Sequence, residues 1–220
     1  LRSLTGEEFF DKALTMFIDV VSKPSFPERD FDREKKRLLI SLQNIDQSPG
    51  DIVGRKFYQL LYQNHPYAQP QSGTNKSASK ITLKDVKEFH KQYIVATNSI
   101  LAIVGDVSDS QAQKIANTIS TSVPKGKAQE EIVLAKPSTE IKQHVEFASQ
   151  QSHVRIGQIG IERGNPDYFS LYVGNHILGG GGFTSRLVKE VRSNRGLSYS
   201  VYSYFLPYEQ AGPFMLGLQT

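Results

Sequence analysis

An arginine and a tyrosine near the end of the chain are the residues whose types best suit chemistry, and a run of glycines precedes them. The guanidinium of Arg192 offers five hydrogen-bond donors in a fixed arrangement, and the hydroxyl of Tyr199 offers one more. Together they could hold a backbone carbonyl, or stabilise the negative charge that develops on its oxygen. The residue types alone favour a structural interpretation, in which Arg192 caps its own helix and Tyr199 is a core aromatic.

The glycine run Gly179, Gly180, Gly181 and Gly182 is typical of a loop at which two backbones approach closely, because glycine has no side chain. A phosphate-binding loop is excluded, since the run is not followed by Gly-Lys-Ser or Gly-Lys-Thr and no G-x-G-x-x-G opens the next helix. A flexible lip beside a binding cleft is the functional alternative.

The cysteine content, the histidine spacing and the serine motifs limit which kinds of catalytic or metal site the chain can contain. The chain has no cysteine, which excludes disulfides, thiolate catalysis and cysteine-based zinc sites. No two histidines are four residues apart, so the zinc helices H-x-x-x-H and H-x-x-E-H are absent, and G-x-S-x-G does not occur. His65 precedes a proline and could cap its loop, whereas His90 and His176 lie in predicted helices, which favours packed or surface roles. The remaining histidines are His144 and His153.

Composition and charge exclude two classes of partner. The 220 residues are 38% hydrophobic and 22% charged, which is ordinary for a soluble globular protein. No apolar run reaches the roughly 18 residues that a membrane-spanning helix needs. The net charge of +4 is small and spread along the chain, so a nucleic-acid-binding surface is not expected. The chain starts at Leu1 without a signal peptide, so we expect either a removed targeting segment or an excised piece.

Hydrophobic periodicity predicts a helical first part. Apolar residues recur at helical spacing in several segments. The first helix is predicted from a capping box at Thr5 to about Ser22, and the second from about Arg29 to a turn at 46–50. Further helices are predicted at 52–61, after Thr82 and at 112–119. The continuous apolar run from Ile100 to Val104 predicts a buried strand.

The second part begins after a linker predicted at 126–139. Alternating apolar residues predict strands at 145–147, 154–158 and 197–201, with Tyr199 on the more apolar face of the last. Asn165 is a predicted helix cap. A second short helix carries Leu187, Val188 and Val191, and a hairpin turn at 208–212 leads to a partner strand at 214–218. Because this strand pair ends abruptly, we expect the natural protein to continue.

The stretch LGGGGFTSRLVKEVRSNRGLSYSVYS, from Leu178 to Ser203, resembles a signature of the pitrilysin/insulysin-like zinc metallopeptidases, the family that includes mitochondrial processing peptidase. Motifs in the first half resemble the same family in the same order, so the resemblance covers nearly the whole chain. They are Phe31-Asp-Arg-Glu-Lys35, Asp46-Gln-Ser-Pro49, His65-Pro-Tyr67 with Gly73, the run from Ile81 to Asn98, and Val104-Gly-Asp-Val107.

The resemblance implies an α/β fold, an α+β arrangement in two layers. The chain would hold parts of two successive repeats, each a mostly antiparallel sheet packed with helices. Residues 1–125 resemble the back half of the first repeat, 126–139 form the linker, and 140–220 resemble the front half of a second, inactive-type repeat.

The resemblance also implies residue roles. The family's Arg–Tyr pair, which hydrogen-bonds the substrate backbone near the scissile bond, falls on Arg192 and Tyr199, and its glycine-rich segment falls on residues 179–182. The family's H-x-x-E-H motif would precede this chain. Its third zinc ligand, a glutamate, falls at about Ser41 or Leu42, and no acidic residue lies between Lys35 and Ile45. We therefore expect neither an intrinsic catalytic residue nor a metal site here, because catalytic zinc needs three protein ligands and a water.

These departures match the zinc-less member of the family's bacterial pairs. We expect a peptide substrate and a heterodimer with a related H-x-x-E-H chain that carries the zinc. The paired members imply a periplasmic location, with the cytoplasm as the alternative. Two other interpretations stay open, namely a structural homologue without a proteolytic role and a fragment of a protein named as an active zinc protease.

Overall fold

A computed structural model of the chain describes residues 1–2, 7–136 and 139–220. The capping box predicted at Thr5 and two residues of the predicted linker lie outside the described residues. The chain forms two compact units, each built from two segments. The first comprises Leu1–Arg37 and Ser79–Glu130, and the second comprises Leu38–Ala78 and Glu131–Thr220. The repeat boundaries at residues 125 and 139 stay a prediction.

Helices make up most of the regular structure, and a three-stranded sheet forms the rest within the described residues. The helices are α1 (Glu7–Ser22), α2 (Glu28–Asp46), α3 (Pro49–Tyr62), α4 (Asn75–Ala78), α5 (Leu83–Tyr93), α6 (Asp109–Ser122) and α7 (Tyr168–Asn175), and the strands are β1 (His153–Ile159), β2 (Ser200–Phe205) and β3 (Pro213–Gln219).

Local capping explains the helices of the first unit. The hydroxyl of Thr82 accepts a hydrogen bond from the Asp85 N–H at 3.2 Å, and the Asp85 carboxylate accepts one from the Thr82 N–H at 2.7 Å, so α5 begins at the predicted capping box. Hydrogen bonds from Thr82, first from its hydroxyl, lower the pKa of Asp85 below its usual value. The His90 ring lies 2.8 Å from the carbonyl oxygen of Val21, which fixes α5 against the end of α1.

The strand predicted from Ile100 to Val104 is wrong. The segment has no regular structure, and the side chains of Ile100 and Val104 are 98% and 97% exposed. A strand must pair its N–H and C=O groups with a neighbour, and no strand lies in the described part of the first unit to pair with this one. The alternation at Val145 and Phe147 likewise forms no strand.

The second unit contains an antiparallel sheet in the order β1–β3–β2. Arg155, Gly217 and Tyr202 form one row across it, so β3 is central and β2 is an edge strand. Helix α3 packs on β1 so closely that a Cβ at Gly157 would lie 2.7 Å from Cζ of Phe57. Leu61, Tyr62 and Ala68 form a buried hydrophobic cluster, and Phe57 packs against this cluster.

The predicted α/β fold class is confirmed, with helices packed on an antiparallel sheet. The hairpin of β2 and β3 is formed as predicted. Helix α7 begins at Tyr168 rather than directly after Asn165, whose side-chain oxygen accepts the Asp167 N–H at 3.0 Å in the preceding turn. Across the described residues, no helix combines the length and apolarity required to cross a bilayer.

Candidate functional site

The glycine run lies between two helical segments, as predicted, but only its second half is a loop. Helix α7 continues into a π-helical turn from His176 to Gly180, so Gly179 and Gly180 are helical rather than in the predicted loop. Gly181 follows this turn, and Gly182 opens a 3₁₀ turn that ends at Thr184. A second π-helical segment, Val188–Ser193, then carries Arg192. Such π-helical turns are rare and occur often at functional sites.

Each glycine meets a specific steric demand. Gly179 is buried against β2, where a Cβ would lie 2.7 Å from the backbone nitrogen of Ser203 and 2.7 Å from Cδ1 of Leu187. Cβ atoms at Gly180 and Gly181 would lie 2.6 Å from Nδ2 of Asn175 and 2.6 Å from the carbonyl oxygen of His176. Gly182 has a φ of +62°, which favours glycine. The run therefore permits close packing and a sharp turn.

A buried polar pair fixes this helix on the sheet. Nδ2 of Asn175 donates to the carbonyl oxygen of Ser203 at 3.0 Å, and the Ser203 hydroxyl donates to Oδ1 of Asn175 at 2.7 Å. Both residues are buried, so the pair fixes the position of α7 relative to β2. This pair was not predicted from the sequence, in which its only signal is a serine at an inward-facing position of a strand.

The segment that carries Arg192 is anchored at both ends. The Ser185 hydroxyl, 1% exposed, donates to the carbonyl oxygen of Gly182 at 2.8 Å, and Val188 is buried beneath the segment. At its end, Gly196 has a φ of +62° and its N–H donates to the carbonyl oxygen of Arg192 at 3.0 Å. Since this glycine cap satisfies the terminal carbonyl, the helix end does not require the Arg192 side chain.

The structure brings Arg192 and Tyr199 together. Cζ of Arg192 lies 4.6 Å from the ring centroid of Tyr199 and 4.9 Å from that of Phe183, a residue not singled out in the sequence. Tyr199 is 80% exposed and precedes β2, so the alternative of a core aromatic on the apolar face of the strand is wrong. Glu190 accepts a hydrogen bond from Asn194 at 3.2 Å, and within the described residues no carboxylate forms an ion pair with Arg192.

This arrangement leaves the donors of Arg192 available. In the described part of the chain, the Arg192 side chain contacts these two rings and forms no hydrogen bond or ion pair with another protein side chain. The residue is half-buried, so part of its surface remains accessible. Chemically, the pair can donate hydrogen bonds to a carbonyl oxygen and can contact apolar groups with the ring of Tyr199.

Two cavities lie in the second unit. One of about 380 Å³ lies between the glycine run and the edge strand β2, with Tyr172, His176 and Val201 among its lining residues. A larger cavity of about 1040 Å³ lies beside α3 and is lined by tyrosines such as Tyr58 and Tyr208. Neither Arg192 nor Tyr199 lines either cavity, so the predicted chemistry is assigned to the surface around these two residues and not to a cavity.

The position of the missing zinc ligand does not support a metal. Leu42 is completely buried in α2 and the neighbouring Ser41 is exposed, and neither is a zinc ligand. Across residues 7–136 and 139–220, no three histidine, aspartate or glutamate side chains cluster as ligands. His65 caps its loop as predicted, because Nδ1 accepts the Tyr67 N–H at 3.1 Å while Nε2 lies 2.8 Å from the Val133 oxygen.

Residues 80–220 match the family described as "Peptidase M16 inactive domain". The crystal structure of a peptidase M16 inactive domain from Pseudomonas fluorescens is similar over 99% of this chain and 53% of that chain, with a TM-score of 0.95 and 42% identity. The "Uncharacterized zinc protease YmxG" of Bacillus subtilis is 28% identical over 207 residues, which are 94% of this chain and 50% of the relative.

Pitrilysin has the same fold, with a TM-score of 0.60 and 15% identity over 94% of this chain and 23% of pitrilysin. The resemblance to pitrilysin-like zinc metallopeptidases that the motifs predict is therefore confirmed. The chain spans about half the length of the curated relatives that it matches.

Proposed function

Because the chain belongs to the peptidase M16 inactive-domain family, we propose that it is the non-catalytic, peptide-holding part of a zinc metallopeptidase. Arg192 and Tyr199 hold the substrate backbone, and a related chain with an H-x-x-E-H motif supplies the zinc. The observation that carries this proposal is the 4.6 Å contact between the Arg192 guanidinium and the Tyr199 ring at an exposed surface.

Several features of the contact favour a binding role over a structural one. A guanidinium with a purely structural role usually bonds a carboxylate or a helix-terminal carbonyl, and Gly196 already caps this helix. An 80% exposed tyrosine ring contributes little to a core. The glycine run and the Asn175–Ser203 pair fix the elements that present both side chains, as a preorganised binding group requires.

The mechanistic contribution of this chain is therefore orientation and charge stabilisation. The N–H groups of Arg192 donate to a peptide carbonyl oxygen, and the hydroxyl of Tyr199 adds a donor beside them. A well-placed donor to a developing oxyanion is worth about 3 kcal/mol. The residues at Ser41 and Leu42 do not fit a zinc ion, so no metal-dependent step is assigned to this chain.

The environment of the pair suits an extended peptide. Strand β2 is a sheet edge that begins directly after Tyr199, and the cavity of about 380 Å³ lies beside it. Asn175 and Gly179 cover the backbone of Ser203 in this strand, so an extended peptide is held by the donors of Arg192 and Tyr199 and not by pairing along β2. The proposed location of the protein is the periplasm, which fractionation of the source cells would test.

The experiment is reconstitution of activity. The purified chain alone should not cleave an unstructured fluorogenic peptide above background, and addition of a related H-x-x-E-H chain from the same genome should give cleavage that a zinc chelator abolishes. Chelator-sensitive cleavage by the isolated chain would contradict the assignment. A scaffold without a proteolytic role is the second candidate, supported by the missing ligand at Ser41, and predicts that the partner cleaves equally well without this chain.

A further inference from the structure

Phe183 is the second ring in contact with Arg192, and the turn that presents it is fixed by hydrogen bonds. The Thr184 hydroxyl donates to the carbonyl oxygen of Gly181 at 3.0 Å, and the Ser185 N–H donates to that of Gly182 at 3.1 Å. Cζ of Arg192 lies 4.9 Å from the centroid of the Phe183 ring. The ring therefore has a defined position beside the guanidinium.

The surface at this position is unusually apolar. The side chains of Phe183, Leu197 and Tyr199 are 78%, 56% and 80% exposed, although burial of large apolar side chains is strongly favourable. Both rings touch the same guanidinium, so at least Phe183 and Tyr199 belong to one patch around Arg192. Exposed apolar patches of this kind mark binding surfaces more often than a single exposed residue does.

The charges on the same segment disfavour basic ligands. From residue 186 to residue 195 the chain carries one carboxylate and four cations. They are Glu190 against Arg186, Lys189, Arg192 and Arg195. A lysine or arginine side chain that enters this patch would meet the like charge of the Arg192 guanidinium on this cationic segment, whereas an apolar side chain would not.

We propose that Phe183 completes the site by positioning the Arg192 guanidinium, and that Phe183 and Tyr199 together select a peptide with an aromatic or large aliphatic side chain beside the bound carbonyl. This inference rests on the proposed peptide-holding function. It names the substrate class, namely extended peptides with an apolar residue at this position, and it disfavours peptides with lysine there.

The test uses four labelled ten-residue peptides of Gly and Ser that differ only at one central position, which is Phe, Leu, Ala or Lys. Fluorescence anisotropy with the purified protein should give Kd values about fivefold lower for Phe than for Ala, because part of an aromatic side chain is buried. Lys should bind no better than Ala. Phe183→Ala should remove most of this discrimination, and Phe183→Tyr should restore it.

Phe169 provides a matched control, because it is a phenylalanine on α7 with 77% exposure, whereas the rings in contact with Arg192 are those of Phe183 and Tyr199. Phe169→Ala should leave the preference for Phe over Ala unchanged. Unchanged discrimination in Phe183→Ala, or equal effects of both alanine variants, would overturn the inference.

NMR separates positioning from selection. If Phe183 positions the guanidinium, nuclear Overhauser contacts between the Arg192 side chain and the Tyr199 ring, 4.6 Å apart, should weaken in Phe183→Leu while the rest of the spectrum stays folded. Unchanged contacts would contradict the positioning role. If Arg192→Ala weakens binding of every peptide but Phe183→Ala changes nothing, only the inference about Phe183 fails. If Arg192→Ala also changes nothing, or if none of the four peptides binds, the peptide-holding function fails with it.

Discussion

Replacement of Gly179 by alanine tests why the glycine run exists. If the run serves close packing, one added methyl group must disturb the contact between the π-helical turn and β2. The new Cβ would lie 2.7 Å from the backbone nitrogen of Ser203 and 2.7 Å from Cδ1 of Leu187. Ordinary contacts to a Cβ are longer than 3.4 Å, so each neighbour would have to move by more than half an ångström.

The leucine side chain can rotate, but the backbone of Ser203 cannot move freely. Its strand is paired with β3, and its side chain is bonded to Asn175. Overpacking of this kind costs about 1–3 kcal/mol, and the fixed backbone places Gly179→Ala near the upper end. With a urea m-value of about 2 kcal/mol/M, the midpoint of unfolding should fall by about 1.5 M.

Gly174→Ala is the matched control, because Gly174 lies in α7 and a Cβ there would meet no atom within 4 Å. This substitution should stabilise the protein by about 0.5–1 kcal/mol, since alanine favours helix more than glycine does. Urea unfolding followed by far-UV circular dichroism measures both variants. If Gly179→Ala is as stable as the parent protein, or if both alanines behave alike, the close-packing explanation of the glycine run is refuted.

Three further predictions concern ionisable groups and metal. Burial is the main cause that raises the pKa values of Tyr58 and Tyr62 well above the usual tyrosine value, so the folded state favours the neutral phenols. The stability that this provides should be complete below about pH 10, the pKa of tyrosine in the unfolded chain, and should fall above it. Tyr58→Phe should reduce this loss of stability in alkaline unfolding followed at 295 nm. The pKa of Asp85 is lowered in the folded state, so its effect on stability has the opposite pH dependence. Its contribution to the free energy of unfolding should be present above about pH 4 and disappear as pH falls through the folded-state pKa. The Asp85→Asn variant should therefore lose less helicity in acid than the parent protein. Elemental analysis of tag-free protein should find no stoichiometric zinc, and about one tightly held zinc per chain would contradict the assignment of Ser41.

Elements governed by local sequence were predictable. The box at Thr82 and Asp85 fixes the start of α5 through bonds between residues three apart, and the proline and turn residues after Asp46 separate α2 from α3. The prediction of a strand from Ile100 to Val104 failed, because an apolar run forms a buried strand only when another part of the chain supplies a pairing partner.

The candidate site was predictable only in part. Arg192 and Tyr199 were found through the family motif, and the turn at Gly196 that brings them together follows from glycine chemistry. Phe183 escaped prediction because its contact with Arg192 depends on the conformation of the turn after Gly182, which the spacing of residues does not reveal.

The central claim is that this chain supplies donors to a peptide cleaved by a zinc-bearing partner. Its most direct test is kcat/KM of the assembled pair for a fluorogenic peptide, measured with Arg192→Ala, Tyr199→Phe and the control Arg195→Ala, which removes an equal charge from an exposed neighbour. We predict a loss of about a hundredfold for Arg192→Ala. Tyr199→Phe should lose about tenfold, and Arg195→Ala should change little, with partner affinity and unfolding midpoint unaltered in all three. Equal activity of Arg192→Ala and Arg195→Ala in a correctly assembled pair would contradict the claim.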